Sequence, residues 1–212
     1  FKNMNFEMKL IHRSDNDLKI KMKNIPISLL NAFRRIMISE IETYSLDFLI
    51  FKKNNTHYND DFLAHRFGLI PFIVDTSTYV PTQNCFSHNC KDCCLFVSLS
   101  KENKTNQIMN VYSSDLTMYS HAKTKYRPVA FPGFEKGILL LKLGPGQSIE
   151  FKGKLQRGNG RLHSKWSPVS TVFYKEIDEE AYEFTIESTG SLSPISIFKN
   201  TVQHWKSKID AI

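Results

Sequence analysis

Ile195, Phe198, Val202, Trp205, Ile209 and Ile212 recur at intervals of three and four near the end of the chain. That spacing lays them along one narrow seam of a helix of about five turns. Ser193 stands where a capping oxygen would accept from the first helical N–H groups, and Pro194 falls in the first turn, where a missing N–H is harmless. A seam of this kind must be closed by something. Its cover is either the chain's own sheet or a second apolar helix face.

Such a face lies near the other end of the chain. After Pro26, with Ser28 as the expected cap, Leu29, Phe33, Ile36, Met37 and Ile41 recur at helical spacing, and Arg34 and Arg35 occupy the opposite side. Two amphipathic helices from distant parts of the sequence predict a pairing layer built from both ends.

Around these helices the period is that of strands. Phe6, Met8 and Leu10 alternate with Glu7 and Lys9, and Leu18, Ile20 and Met22 with Lys19, Lys21 and Lys23, which predicts two half-buried strands. The turn formers Ser14-Asp15-Asn16-Asp17 join them in a hairpin, and Asp15 and Asp17 read as a solvated turn rather than a metal site. Tyr182, Phe184 and Ile186 alternate with Glu183, Thr185 and Glu187 and predict a strand that ends near Gly190. Between these ends, Leu46, Phe48 and Ile50 fall on alternate positions, and a polar loop runs from Lys52 to Asn59. A short helix follows over Asp60 to Phe67, capped by Gly68, and Ile70-Pro71-Phe72 leaves it extended. Short strands are predicted at Leu95 to Leu99 and Met109 to Tyr112. Further strands at Gly137 to Leu143 and Ser148 to Leu155 meet at the turn Gly144-Pro145-Gly146-Gln147. The middle of the chain reads as a separate, loop-rich unit.

Composition narrows the class. Hydrophobic residues make up 41% and charged residues 23%, near globular averages, which argues against disorder. Apolar runs such as Ile138 to Leu141 are far too short to cross a bilayer. Lys2, Asn3, Asn5, Glu7 and Lys9 interrupt any apolar signal segment, so the chain is expected to stay inside a cell or a virus particle. Phe1 is not an initiator methionine, and Met4 is one candidate start. The net charge of +7 arises from 28 basic residues scattered among 21 acidic ones, a pattern that suits partner docking better than a dedicated nucleic-acid face.

All 4 cysteines, Cys85, Cys90, Cys93 and Cys94, cluster with His88. Thiols in a reducing compartment stay free, and a compact Cys/His group suits a metal. Zn²⁺ takes four soft or borderline ligands, and the spacing of Cys90 and Cys93 lets one turn present two thiolates. Cys85 is the third ligand, with Cys94 or His88 as the fourth. Four closed positions leave no place for an activated water, so the zinc is structural. The same thiolates would also serve an iron–sulfur cluster, the second choice. A cysteine hydrolase pairing Cys85 or Cys90 with His65, His121 or His163 lacks any accompanying nucleophile elbow, phosphate loop or paired carboxylates.

Four further stretches are read in order: Asn31 to Met37 continuing to Glu40-Ile41, then Phe62 to Pro71, then Gly158 to Pro168 with Gly160, His163, Lys165, Trp166, Ser167 and Pro168, and lastly Phe184 to Gly190 with the helix that follows. Together they resemble the alpha/D-type subunit family of DNA-directed RNA polymerases, which includes bacterial alpha, its archaeal D-type counterpart and the third subunit of RNA polymerase II. The family's metal loop usually has a Cys-x-Cys pair ahead of its Cys-x-x-Cys pair, whereas this chain has Cys85-Phe86-Ser87.

The resemblance implies an α+β fold with a discontinuous dimerisation domain, an antiparallel sheet plus two long helices. Its two parts would be residues 1–43 and 137–212, with an inserted β-rich domain at 44–136 that carries the metal knuckle. It implies a non-catalytic assembly platform that heterodimerises with a small eleventh-subunit-like partner and recruits the two largest polymerase subunits. Nucleic acid would be met only through the whole complex, and no membrane is involved. Leu29, Phe33, Arg34, Arg35, Ile36, Met37, Ile195, Phe198, Val202, Trp205 and Ile209 are the residues it assigns to partner binding. The compartment it implies is the nucleus in a cell, or the virion or cytoplasmic factory of a large DNA virus. A free-standing zinc-dependent nucleic-acid-binding protein is the rival, and it predicts a monomer whose affinity falls steeply with salt.

Overall fold

The computed structural model describes residues 6–74, 95–120, 124–130 and 133–211. Along the chain its elements are β1 (Glu7–Arg13), β2 (Asp17–Lys23), α1 (Ile27–Ser39), β3 (Glu42–Asn54), α2 (Asp60–Gly68), β4 (Phe72–Val74), β5 (Leu95–Glu102) and β6 (Met109–Tyr112). They continue with β7 (Thr117–Ser120), β8 (Tyr126–Pro128), β9 (Leu139–Leu143), β10 (Ser148–Asn159), β11 (Val169–Asp178), β12 (Ala181–Ser188) and α3 (Pro194–Asp210). The fold is mixed α+β with antiparallel sheets. Phe1–Thr43 and Gly158–Ile212 form one compact unit, and Tyr44–Arg157 forms the other.

In the first unit the alternating segments from both ends of the chain meet in one sheet of order β1-β2-β12-β11. Leu18, Ile20 and Met22 of β2 face Ile186, Phe184 and Tyr182 of β12 in direct register. Helices α1 and α3 cover that apolar side, burying Leu30, Phe33 and Met37 of α1 and Ile197 of α3 in one core. Apolar side chains on one face and lysines or glutamates on the other make this pairing register the one that keeps the core dry.

Two expectations for this unit need correction. Strand β1 is exposed along its whole length, although its alternation predicts a half-buried strand. It lies at the sheet edge, and a register shift between Leu10 and His12 breaks its phase. Ser28 does not cap α1, because the helix already begins at Ile27. Pro26 is the N-cap, in extended conformation, and supplies no side-chain bond. By contrast Ser193 caps α3 as its sequence suggests, accepting from the Ser196 N–H.

The second unit contains the sheet β3-β10-β5-β7 and the pairs β4-β8 and β6-β9. Asn59 caps α2 by accepting from the Phe62 N–H at 2.9 Å, and Asp60 and Asp61 lie where the helix dipole favours negative charge. Phe67 of α2 stacks on Phe151 of β10 with centroids 5.0 Å apart. In β3 the buried positions run Tyr44 and Leu46, then shift to the half-buried Leu49 and Phe51, which leaves Phe48 and Ile50 exposed. Strand β10 approaches closely here: a Cβ at Gly153 would lie 3.1 Å from the Phe48 carbonyl. The turn at Gly144 to Gln147 is present, but it joins β9 and β10 in different sheets instead of closing a hairpin. Both strands pair inside this second unit, which runs to Arg157, so the return to the first unit comes after residue 157 and not at 137.

Candidate partner-binding groove

Helix α3 meets its own unit along a row next to the predicted seam. Ile197 and Thr201 are completely buried, and the Thr201 hydroxyl donates to the Ile197 carbonyl at 2.8 Å. The seam residues stand to one side of this row. Ile195, Phe198 and Trp205 are half-buried, while Val202 and Ile209 are exposed. Phe33 of α1 links the helices, meeting Phe198 and Trp205 edge to face with centroids 6.2 and 6.4 Å away.

What this packing leaves open is a groove of about 670 Å³. Its walls are Phe6 and Met8 from the N-terminal strand region, Ile25 and Pro26 from the link into α1, Leu29 and Phe33 from α1, and Phe198 and Val202 from α3. The polar side chains in the lining, Asn24, Lys199, Gln203 and Lys206, are all exposed. Phe6, Met8 and Leu10 are 48%, 53% and 54% exposed. A soluble domain rarely leaves so much contiguous carbon in water unless another surface covers it.

Of the residues predicted to bind a partner, the structure brings Leu29, Phe33, Phe198 and Val202 together in the groove. Ile36 and Met37 are buried within the chain and have no surface to offer. Arg34 is held by its own helix, donating to Asn31 Oδ1 from Nε at 3.2 Å and from Nη2 at 2.9 Å, and Arg35 is exposed. Phe6, Met8, Ile25 and Pro26 are lining residues that sequence reasoning missed as a site. The available signal was an apolar alternation in β1 with no element assigned to cover it.

At the far end of the helix pair Glu40 clasps α3. Its carboxylate accepts from Lys208 Nζ at 2.9 Å and lies 3.4 Å from His204 Nε2, an ion-pair distance without hydrogen-bond geometry. The Lys208 hydrogen bond, with the charges of Lys208, His204 and Arg161, holds the Glu40 carboxyl below its ordinary value of 4.5 against the opposing effect of burial. Cys85, Cys90, Cys93, Cys94 and His88 lie outside the described residues.

Comparison with known proteins matches residues 19–209 to the RNA polymerase Rpb3/Rpb11 dimerisation domain. The chain is 32% identical over 182 residues to subunit 3 of DNA-directed RNA polymerases II, IV and V of Arabidopsis thaliana, covering 79% of this chain and 56% of that protein. It is 32% identical over 172 residues to the RNA polymerase II subunit rpb3 of Dictyostelium discoideum, covering 80% and 57%. To the RNA polymerase subunit Rpo3 of Methanocaldococcus jannaschii it is 33% identical over 186 residues, covering 88% and 83%. The chain thus spans little more than half the length of the two eukaryotic relatives and most of the archaeal one.

Proposed function

Because the chain belongs to the family of the RNA polymerase Rpb3/Rpb11 dimerisation domain, we propose that it is a non-catalytic assembly-platform subunit of a multisubunit DNA-directed RNA polymerase. Its relatives are named as subunits of such polymerases. The observation that carries the proposal is the open apolar groove whose walls come from both ends of the chain. A catalytic site would show convergent polar groups in a cleft. This one shows carbon, flanked by exposed lysines and a glutamine.

Pairing proceeds by closure of that groove. A smaller partner, similar to the eleventh subunit of RNA polymerase II, lays apolar helix residues against Leu29, Phe33, Phe198 and Val202 and covers Met8 on the edge strand. Burying this surface contributes about 25 cal/mol for each Å² of carbon removed from water. The dimer then recruits the two largest subunits, which hold the Mg²⁺ chemistry of nucleotide addition, and nucleic acid is met only through that assembly. The discontinuous unit is the dimerisation domain and the residues between its halves are the inserted domain. Cys85, Cys90 and Cys93 with Cys94 or His88 form a donor set that suits a structural Zn²⁺, checked by metal content of the purified chain. The protein works where its polymerase works, in a nucleus or, for a viral enzyme, in the virion or cytoplasmic factory.

Co-expression with an eleventh-subunit-like partner from the same source, followed by size-exclusion chromatography, tests the proposal. A one-to-one complex lost in both Phe198→Asp and Trp205→Asp supports it. A well-behaved monomer that ignores the partner contradicts it and favours a free-standing nucleic-acid-binding module.

A further inference from the structure

The helices that wall the groove lie in stretches of the chain that hold no acid. Residues 18–39, from β2 through α1, contain no Asp or Glu, and neither do residues 188–209, from the end of β12 through all but the last residue of α3, although acidic residues number 21 in the whole sequence. The carboxylates that border these stretches do not reach the groove lining. Asp17 and Glu187 stand opposite each other in the sheet, Glu40 is clasped by Lys208 at 2.9 Å, and Asp210 ends α3.

The charged residues of the lining are Lys199 and Lys206, both exposed. They stand three residues before and four after Val202, so Lys199, Val202 and Lys206 share one ridge of α3. The two ammonium groups thus flank the apolar middle of that ridge, two turns or about 10 Å apart along the axis. Neither makes an ion pair with a described residue of this chain.

Cations on the rim of a carbon groove impose a choice on whatever closes it. Their stems extend the apolar wall, while the ammonium groups lose water as a partner settles over them. Carboxylates at matching spacing offset that loss, a neutral surface leaves it standing, and a cationic surface adds repulsion. A second copy of this chain is the cationic case. Two-fold pairing sets the same surface against itself, so the lysines of one copy would meet those of the other with no carboxylate in the lining between them.

We infer that Lys199 and Lys206 decide which helix the groove accepts. The occupant is an amphipathic helix of the smaller subunit whose apolar ridge is flanked by two carboxylates about 10 Å apart, and a second copy of this chain is turned away. This deepens the pairing role proposed above and rests on it.

The test measures the affinity of the full chain for the small eleventh-subunit-like partner by isothermal titration, and its self-association by sedimentation. Lys199→Glu combined with Lys206→Glu is expected to raise Kd by about a hundredfold, and Lys199→Gln combined with Lys206→Gln by about tenfold. Added NaCl should weaken the wild type more than the glutamine variant. Lys175→Glu makes the same charge change on the sheet face away from the helices, next to the core residue Tyr174, and should move Kd by less than about threefold. Without the partner, the glutamine variant should self-associate about tenfold more tightly than the wild type, because the carbon remains and the repulsion is gone. Should the glutamate variant fail to fold, the glutamine variant and the salt series decide between the same outcomes. An unaltered Kd in the charge variants overturns the inference, as does a wild type that self-associates as tightly as the glutamine variant. Failure of the wild type to pair with the small partner refutes the platform role itself, whereas tight pairing indifferent to these charges refutes only the selection.

Discussion

Val202 separates folding from pairing among the helix residues of the groove. It is 42% exposed, lines the groove beside Phe198, and lies outside the buried row of Ile197 and Thr201. Val202→Asp removes carbon that is 42% exposed and lies outside the buried core row. The new carboxylate would stand three residues after Lys199 and four before Lys206, and helix pairs of that spacing contribute about 0.2–0.5 kcal/mol each. Valine and aspartate have similar helix propensities. The free chain should therefore change in stability by no more than about 0.5 kcal/mol, a shift of under about 3 °C in Tm. With the partner seated, the same carboxylate is stripped of water against Leu29, Phe33 and Phe198, at a cost of at least about 3 kcal/mol. Isothermal titration should then show Kd raised by about two orders of magnitude. Phe33→Ala is the contrasting variant. It deletes the ring that meets both Phe198 and Trp205, costs about 3–5 kcal/mol, and lowers Tm as well as affinity. Unchanged affinity in a folded Val202→Asp protein would refute the reasoning, and so would a fall in Tm like that of Phe33→Ala, since the chain itself would then be closing the groove.

Two other outcomes follow from the geometry. The folded Glu40 carboxyl lies below its ordinary value of 4.5, so its contribution is present above that pH and is lost as pH falls through the depressed folded value. Because the Lys208 side chain is 46% exposed, the contribution is under about 1 kcal/mol after solvent screening. Glu40→Gln should lower Tm slightly at neutral pH and flatten its decline on acidification, as followed by thermal melts across the acidic range; an unchanged acid profile would contradict the clasp. Asn103 is fully buried and its amide serves two carbonyls, Gln107 at 2.7 Å and Leu143 at 2.9 Å, while its oxygen accepts from the Thr105 N–H at 3.0 Å. Asn103→Ala orphans all three groups and should destabilise the second unit by about 2–4 kcal/mol in a urea titration. A loss under about 1 kcal/mol would show that water replaces the amide.

The helices were legible in the sequence because their signals are local: Ser193 and Pro194 announce α3, and the spacing of Leu29, Phe33 and Met37 marks the face of α1. The strands were legible until a bulge broke their alternation. Between Val169 and Thr171 the register of β11 shifts, so its buried Val169 and Val172 stand three residues apart instead of alternating, and the strand carries no strand-like pattern to read. The same loss of phase hid the exposed face of β3. Pairing between strands distant in sequence has no local signal at all, which is why the turn between β9 and β10 could be read while their membership of different sheets could not. Asn103, flanked by Glu102 and Lys104, looks like part of any polar loop, and only the fold reveals that it is buried. As for the groove, its helix residues were marked in the sequence, but its strand wall was not. Alternation shows that one side of β1 is apolar and does not show whether this chain or another covers it.

A photoreactive amino acid placed at position 202 of the chain, irradiated within the purified polymerase assembly, tests the central claim most directly. The account predicts one dominant crosslink, from α3 to a helix of the small eleventh-subunit-like partner, which is lost when Phe198→Asp is combined with it. A crosslink to a largest subunit, to nucleic acid or to a second copy of this chain would contradict the groove's assignment as the heterodimer interface.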